Sequence, residues 1–434
     1  RLYCVLPLKG RDPLASTLKT PLLPVCFVLT SALFAALLFR PVFLPAQIHP
    51  PDVTCDNGDG EYSYRFFTGL TVSVGPPQNG GFAERACAAK LTWGSQNLTV
   101  ASDAAQVVID VLGADLGLGK PVVAFQIDNS GDGTHRTYRI YSLTKPPRLL
   151  STIIGAESYV AADTDLDGNV EIWTDDADAI DEFEGVPLKF WDFPPTVVLR
   201  FEKKHLVDVS PEFTSHYDAQ ISELRAKIDH QELAAFKDSD GVLSFKVSNP
   251  SVDLHRLMRT KIKIIEIVWA YLYSGRDAEA WSALQQTWPS QDFNRIRTKL
   301  SSVHQRGILR GVARETGTPR HKRQVQIYDA TGSSQASDWS HYAGTGAPAY
   351  PLQEPTVVQP KSILPRRPPI QDLPASDAAL ELVIDAAGKV HSTKLLSGAD
   401  PRWIQVSAGW QFIPAFRDGI PVACRFLLSV SDLK

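Results

Sequence analysis

The sequence has no excess of positive charge. Lys plus Arg number 44 against 48 Asp plus Glu, for a net charge of −4. General nucleic-acid binding runs on a strong basic excess, so this balance argues against a nucleic-acid partner. Cysteine is scarce, with five residues and no Cys-x-x-Cys pair among them. A zinc ribbon or thioredoxin-type site therefore has no support. The signature motifs of catalysis are also missing. There is no nucleophile elbow, no Walker loop, no Gly-rich dinucleotide turn and no His-Glu-x-x-His zinc helix. The ten histidines are scattered, and the expectation is a protein that is not an enzyme.

What is present is ordinary globular material. Hydrophobic residues make up 44% and charged residues 21% of the chain, which excludes wholesale disorder. The 434 residues suggest about three domains. Proline, with 31 residues, exceeds the usual ~5% of a chain and predicts a linker. The pattern reads as a multidomain protein. It comprises an N-terminal apolar helix within 20–46, an all-β module over 52–210 and an α-helical module over 211–315. A basic and Pro-rich linker over 316–375 leads to a C-terminal α+β unit over 376–434.

Residues 20–39 carry no charge; Lys9, Arg11 and Lys19 precede them and Arg40 follows. A stretch of ~20 apolar residues is long enough to cross a bilayer, and the positive flank would stay in the cytoplasm. The segment reads as a retained transmembrane anchor or as a signal peptide cleaved near Ala46-Gln47. Both readings export the rest of the chain. Cys55 and Cys87, 32 residues apart in one module, are then disulfide candidates in an oxidising compartment. Two unpaired buried cysteines are the competing reading.

Short apolar or alternating runs bounded by Gly, Pro, Asn and Asp predict strands. They fall at Leu70–Val74, Leu91–Trp93, Leu98–Val100, Val107–Leu112, Val122–Ile127, Tyr138–Leu143, Val170–Trp173 and Val197–Phe201. The sharpest motif is Asp163-Thr164-Asp165-Leu166-Asp167-Gly168-Asn169-Val170-Glu171. A hard cation wants several oxygens around a tight loop, and this spacing makes Asp163, Asp165, Asp167, Asn169 and Glu171 candidate Ca2+ ligands. The twelfth position is Thr174 rather than a bidentate Glu, so the loop is not a standard EF-hand. It resembles the calcium loops of FG-GAP or VCBS-type β repeats. Asp128-Asn129-Ser130-Gly131-Asp132-Gly133 is a weaker copy. In both places, plain β-turns built by Asp and Gly are the alternative. The acidic run Asp175, Asp176, Asp178, Asp181, Glu182 and Glu184 reads as a solvated loop.

In the helical module, Ser215–Phe236 predicts one amphipathic helix, Leu254–Tyr273 a stronger one, Ala278–Trp288 a third and Phe293–Leu300 a fourth. Three tryptophans within 269–288 read as packed core rather than a binding face. A basic patch (Arg306, Arg310, Arg314, Arg320, Lys322, Arg323) leads to Pro360, Pro365, Pro368, Pro369 and Pro374, a semi-rigid spacer.

In the last 59 residues, Leu380–Asp385 and Val390–Leu396 predict a hairpin turned at Ala387-Gly388. Asp400-Pro401 opens a short helix, and Pro421–Val430 predicts a final strand, in the order β-β-α-β. Two segments carry a resemblance. Val383-Ile384-Asp385-Ala386-Ala387-Gly388-Lys389-Val390 resembles the first hairpin of the TonB C-terminal domain. Trp410-Gln411-Phe412-Ile413-Pro414-Ala415-Phe416-Arg417-Asp418-Gly419-Ile420-Pro421-Val422 resembles its second signature. The resemblance covers roughly 60 residues. It implies a periplasmic domain that binds an outer-membrane receptor or other envelope partner by strand addition at a sheet edge, with Pro421–Val430 as the expected edge. Trp410, Phe412, Pro414, Val422, Phe426 and Leu428 are the candidate partner-binding residues. It also implies an inner-membrane protein with its bulk in the periplasm, serving transport. Signal cleavage would instead give a soluble periplasmic or secreted calcium-binding scaffold. Two departures matter. The family's anchor carries a Ser and a His four residues apart, whereas Ser31 here is followed by Ala35 and 20–39 holds no His. Coupling to inner-membrane motor partners is therefore not supported. The family's long spacer is replaced by about 300 residues of other modules.

Overall fold

The computed structural model of the chain describes residues 53–66, 68–77, 86–131, 133, 135–243, 252–310, 312–314, 325, 327–330, 357–358, 361–362, 379–397 and 400–429. The expected apolar helix at 20–46 lies outside these residues, as do Arg320, Lys322, Arg323 and the five prolines of the spacer. No helix among the described residues is long and apolar enough to cross a membrane.

The first part is mostly strand. In chain order it runs β1 (Thr54–Asp56), β2 (Tyr62–Arg65), β3 (Leu70–Gly75), β4 (Cys87–Trp93), β5 (Gln96–Ala104), β6 (Gln106–Leu112), β7 (Val122–Asp128), β8 (Arg136–Ser142) and β9 (Leu149–Ala156). Then come β10 (Tyr159–Ala162), β11 (Glu171–Asp175), β12 (Thr196–Glu202) and β13 (His205–Asp208), with the short helix α1 (Ala177–Ile180) after β11. Three sheets result, ordered β2-β3-β4-β5, β1-β6-β7-β8-β9 and β10-β11-β12-β13. The last is extended by a parallel two-residue strand, β14 (Ala313–Arg314).

The sheet β1-β6-β7-β8-β9 is the middle layer, and its composition says why. Every residue of β7 is buried. Val123, Phe125 and Ile127 join one core with Leu70, Val72 and Leu91, whereas Val122 and Ala124 join another with Ile172 and Leu199. A strand covered on both faces reads as a continuous apolar run, as Val122–Ile127 does. β3, covered on one face, alternates instead: Leu70, Val72 and Val74 are buried, Thr71 and Ser73 half-buried. Cys55 on β1 and Cys87 on β4 form a disulfide that ties the middle sheet to the outer one.

The helices are α2 (Thr214–Ala226), α3 (His230–Lys237), α4 (Val252–Tyr273), α5 (Asp277–Thr287) and α6 (Phe293–Arg306). The single helix expected over Ser215–Phe236 is broken at Asp229. Its carboxylate accepts from the backbone N–H groups of Gln231 and Glu232, which caps a new helix. Helix α4 is the hub. Its second half is buried almost all round, including Trp269 and Tyr273. Trp269 and Trp288 are core, as expected; Trp281 packs partly buried against the same core.

The last part holds β15 (Tyr328–Asp329), β16 (Val357–Val358), β17 (Lys361–Ser362), β18 (Ala379–Ile384), β19 (Val390–Ser397) and α7 (Arg402–Ser407). It ends with β20 (Phe412–Ile413), β21 (Ala415–Arg417), β22 (Ile420–Val422) and β23 (Cys424–Ser429). The order β-β-α-β thus holds for the long elements. The expected strand Pro421–Val430 is divided at Ala423: β22 pairs with β21, and β23 pairs with β18. Nor is β23 an edge. The sheet order is β15-β23-β18-β19, with Tyr328–Asp329 lying parallel along its outer side.

All described residues fall in one compact unit, His49–Lys434. Its two cores cross the boundaries read at 210 and 376. Leu380, Leu382, Ile384, Phe412 and Leu428 share a core with Val123 and Phe125. Ala386 and Ala387, at the tip of the β18–β19 hairpin, belong to the other core with Trp269 and Trp288.

Candidate cation site

Strands β10 and β11 pair antiparallel, with Ala162 opposite Glu171. The eight residues between them are the Asp-rich loop. Two positions turn it: Leu166 at φ 58° and Gly168 at φ 85°. Asp163 organises the turn, accepting from the backbone N–H of Asp167 at 3.0 Å and of Gly168 at 3.0 Å. Asp165 accepts from Asp167 N–H at 3.2 Å.

Asp163, Asp165 and Glu171 each bring one carboxylate oxygen within 4.8 Å of the others. Asp163 and Glu171 are buried and Asp165 is exposed, so the cluster has a floor and an open side. The other two expected ligands do not join. The Asp167 carboxylate turns to the side-chain and backbone N–H groups of Asn169, at 2.8–2.9 Å, and the two residues occupy each other.

Glu171 makes the cluster more than a turn. It is 0% exposed, its Oε1 has no hydrogen-bond partner, and among the described residues its Oε2 accepts a single long bond, 3.4 Å, from Thr164 N–H. Thr164 Oγ1 beside it is also buried without a hydrogen bond. Arg200 on β12 places Nη1 3.5 Å from Glu171 Oε1. Its guanidinium is already engaged, with Glu202 at 2.8 Å and Glu212 at 2.9 Å. A buried carboxylate oxygen without a hydrogen bond is costly unless a cation or a proton reaches it.

The electrostatics agree. Burial, then the neighbouring Asp385, pushes the Asp163 carboxyl up to about 8. Burial, then Asp165 and Asp163, pushes Glu171 up to about 9 against the pull of Arg200. Burial and then Asp167 raise Asp165. Three carboxylates this close cannot all ionise without compensating charge; the Arg200 guanidinium supplies part of it to Glu171, and a proton or a divalent cation would supply the rest. The donor set is all oxygen, which suits a hard cation such as Ca2+ or Mg2+ rather than Zn2+.

The weaker copy behaves as a turn. Asp128 is buried and accepts from the backbone N–H of Ser130, Gly131 and Gly133 at 2.9 Å each. It joins no cluster of possible metal ligands among the described residues. The acidic run after β11 is not a solvated loop throughout. Asp175 and Asp176 are buried, Asp175 accepting from Glu157, Ser158 and Ala177 N–H, and the Glu184 side chain is 3% exposed among cations.

Two residues of this region escaped the sequence reading. Arg200 had a signal: a charge inside the apolar run Thr196–Glu202 implies a buried carboxylate partner. Asp385 had none. It lies 222 residues from Asp163, yet its Oδ2 accepts from the Asp163 backbone N–H at 2.9 Å.

The candidate partner-binding residues build the core of the C-terminal unit. Trp410, Phe412, Pro414 and Leu428 are buried, and Val422 and Phe426 are half-buried. Comparison with known protein families, with curated proteins and with solved structures finds no match to this chain.

Proposed function

We propose that this protein is a non-enzymatic, calcium-binding scaffold of the cell envelope or exterior, with the Asp163 loop as its cation site. The observation that carries the reading is Glu171: wholly buried, its Oε1 without a hydrogen bond and met by Arg200 at 3.5 Å, facing Asp163 and Asp165 across a tight turn. The Cys55–Cys87 disulfide supports an oxidising compartment. The burial of Ala386 and Ala387 in the main core favours a scaffold over a terminal domain swinging on a long spacer.

Calorimetric titration of the chelator-treated full chain with Ca2+ tests it. Binding is expected, with stabilisation of about 2.7 kcal/mol at 100 times the dissociation constant. Glu171→Gln should remove both. No heat of binding, together with a melting temperature indifferent to chelator, would reduce the loop to a β-turn.

A second reading keeps the TonB resemblance. What favours it is the antiparallel sheet β23-β18-β19 with α7 against β19, and the outer side of β19, which has no strand paired to it among the described residues. In this reading the C-terminal unit binds an outer-membrane transporter or another envelope partner by strand addition. It requires the 20–39 segment as a retained inner-membrane anchor. Full-length, carbonate-resistant protein in the inner-membrane fraction would support it, and a shortened protein in the soluble fraction would sink it.

A further inference from the structure

The tip of the β18–β19 hairpin is built into the wall of the cation loop. Asp385 divides its carboxylate between two tasks. Oδ1 accepts from Ala387 and Lys389 N–H at 2.9 and 2.8 Å and shapes the hairpin's own turn. Oδ2 accepts from the backbone N–H of Asp163, a candidate cation ligand. Beside it, Lys389 Nζ donates to Asp110 Oδ1 at 2.9 Å and to Asp110 O at 2.6 Å. Asp110 sits in a bulge of β6 and also accepts from Tyr138 OH and from Ala161 N–H, two residues before Asp163. Gln411 Nε2 donates to the same Asp110 carbonyl. Ala386 and Ala387, 1% and 0% exposed, fill the space between. The loop and the hairpin therefore share a hydrogen bond at one residue, and a shift of either one strains or breaks it.

We propose that cation occupancy of the Asp163 loop controls how firmly the C-terminal hairpin is seated on the rest of the molecule. This rests on the calcium reading above. A cation held by Asp163, Asp165 and Glu171 fixes the Asp163 backbone, which presents its N–H to Asp385. By linkage, the seated hairpin must raise cation affinity by the same factor with which the cation favours seating. Without the cation, only the loop's own turn hydrogen bonds hold the Asp163 backbone, and the bond to Asp385 is held less firmly.

Hydrogen exchange of the full chain, in chelator and in saturating Ca2+, tests this, with calorimetry on the same samples. Ca2+ should slow exchange over 380–396 on the order of tenfold more than over β3 and β4, which lie in a different sheet from the loop's strands. Asp385→Asn is the discriminating variant. Its oxygen can still serve the hairpin turn, but its amide meets the Asp163 N–H donor to donor. It should still bind Ca2+, more weakly, and lose the excess protection over 380–396. Ca2+ binding with no excess protection there would overturn this coupling and leave the calcium site standing. Absence of binding would overturn both.

Discussion

Lys261 Nζ lies 3.0 Å from Glu184 Oε2, with the lysine side chain wholly buried and the glutamate 3% exposed. The pair is not symmetric. Glu184 also receives Arg295 at 2.6 Å and Lys299. Among the described residues Lys261 otherwise donates to the Leu243 carbonyl, at 2.9 Å. Removing one partner of a buried pair strands the other and costs about 3–5 kcal/mol. Glu184→Ala strands Lys261 and should reach that range. Lys261→Met leaves Glu184 two cations and should cost less than half as much. Urea denaturation of both variants checks this, and equal losses would refute the asymmetry.

Two glutamates predict opposite limbs of the pH–stability curve. Burial would raise Glu184, but hydrogen bonds from Arg295 and Lys299 and the charge of Lys261 outweigh it and bring the carboxyl down to about 2. Its contribution is full above the ordinary value of 4.5 and is lost as the pH falls toward about 2. Glu266 on α4 goes the other way. Burial pushes it up to about 8, against the backbone N–H groups of Phe193 and Asp192. Its folded state prefers the proton, so that stability is full below 4.5 and is lost as the pH rises toward about 8. Denaturation across roughly pH 3 to 9 should therefore show Glu184→Gln flattening the acid limb and Glu266→Gln the alkaline one. An alkaline limb unchanged in Glu266→Gln would rule out its part.

Gly307 is pressed against a carboxylate. Its φ is −70°. A Cβ there would stand 1.9 Å from Asp176 Oδ2. Asp176 cannot yield, since it accepts from Tyr273 OH at 2.5 Å and from Ile308 N–H at 2.7 Å. Gly307→Ala should cost about 1–3 kcal/mol, as overpacking does. Gly409 is the control, with its nearest neighbour, Val406 O, 3.8 Å from a Cβ. Gly409→Ala should be neutral or stabilising by up to about 1 kcal/mol. Comparable losses in the two would mean that Asp176 moves freely.

These charged residues also mark where sequence reading stops. Runs whose own composition carries the signal were legible: Val122–Ile127, Val197–Phe201, Leu254–Tyr273 and the hairpin over 380–396 all occur as read. The break at Asp229 had a local cue, Asp229 followed by Glu232, but helical periodicity across it masked the cap. Strand β9, Leu149–Ala156, lacks alternation and was missed. The loop around Asp163 was legible as a turn with carboxylates, but which of them converge was not. Asp167 and Glu171 have the same charge, and only the pairing of β10 with β11 brings one in while Asn169 holds the other out. The burial of Glu184 depends on Lys261 and Arg295, 77 and 111 residues away, and nothing local to Glu184 announces them.

The Cys55–Cys87 bridge should be a large contribution to the stability of the β-rich part. It joins strands of two different sheets and closes a loop of 32 residues' separation. Chain-entropy reasoning assigns such a loop about 3–4 kcal/mol. The Cys55→Ala/Cys87→Ala double variant should lose that much in urea denaturation. Both residues are 0% exposed, so reductant alone should not reach the bond in the native state. The remaining described cysteine, Cys424, cannot exchange with it readily. Burial, then Asp385 and Asp329, pushes its thiol up to about 12, and exchange needs the thiolate. Native protein should therefore keep the bond in reductant alone, and in reductant plus denaturant it should unfold at a lower denaturant concentration than the unreduced protein. Alkylation of Cys55 or Cys87 in unfolded, unreduced protein would show that the bridge does not form.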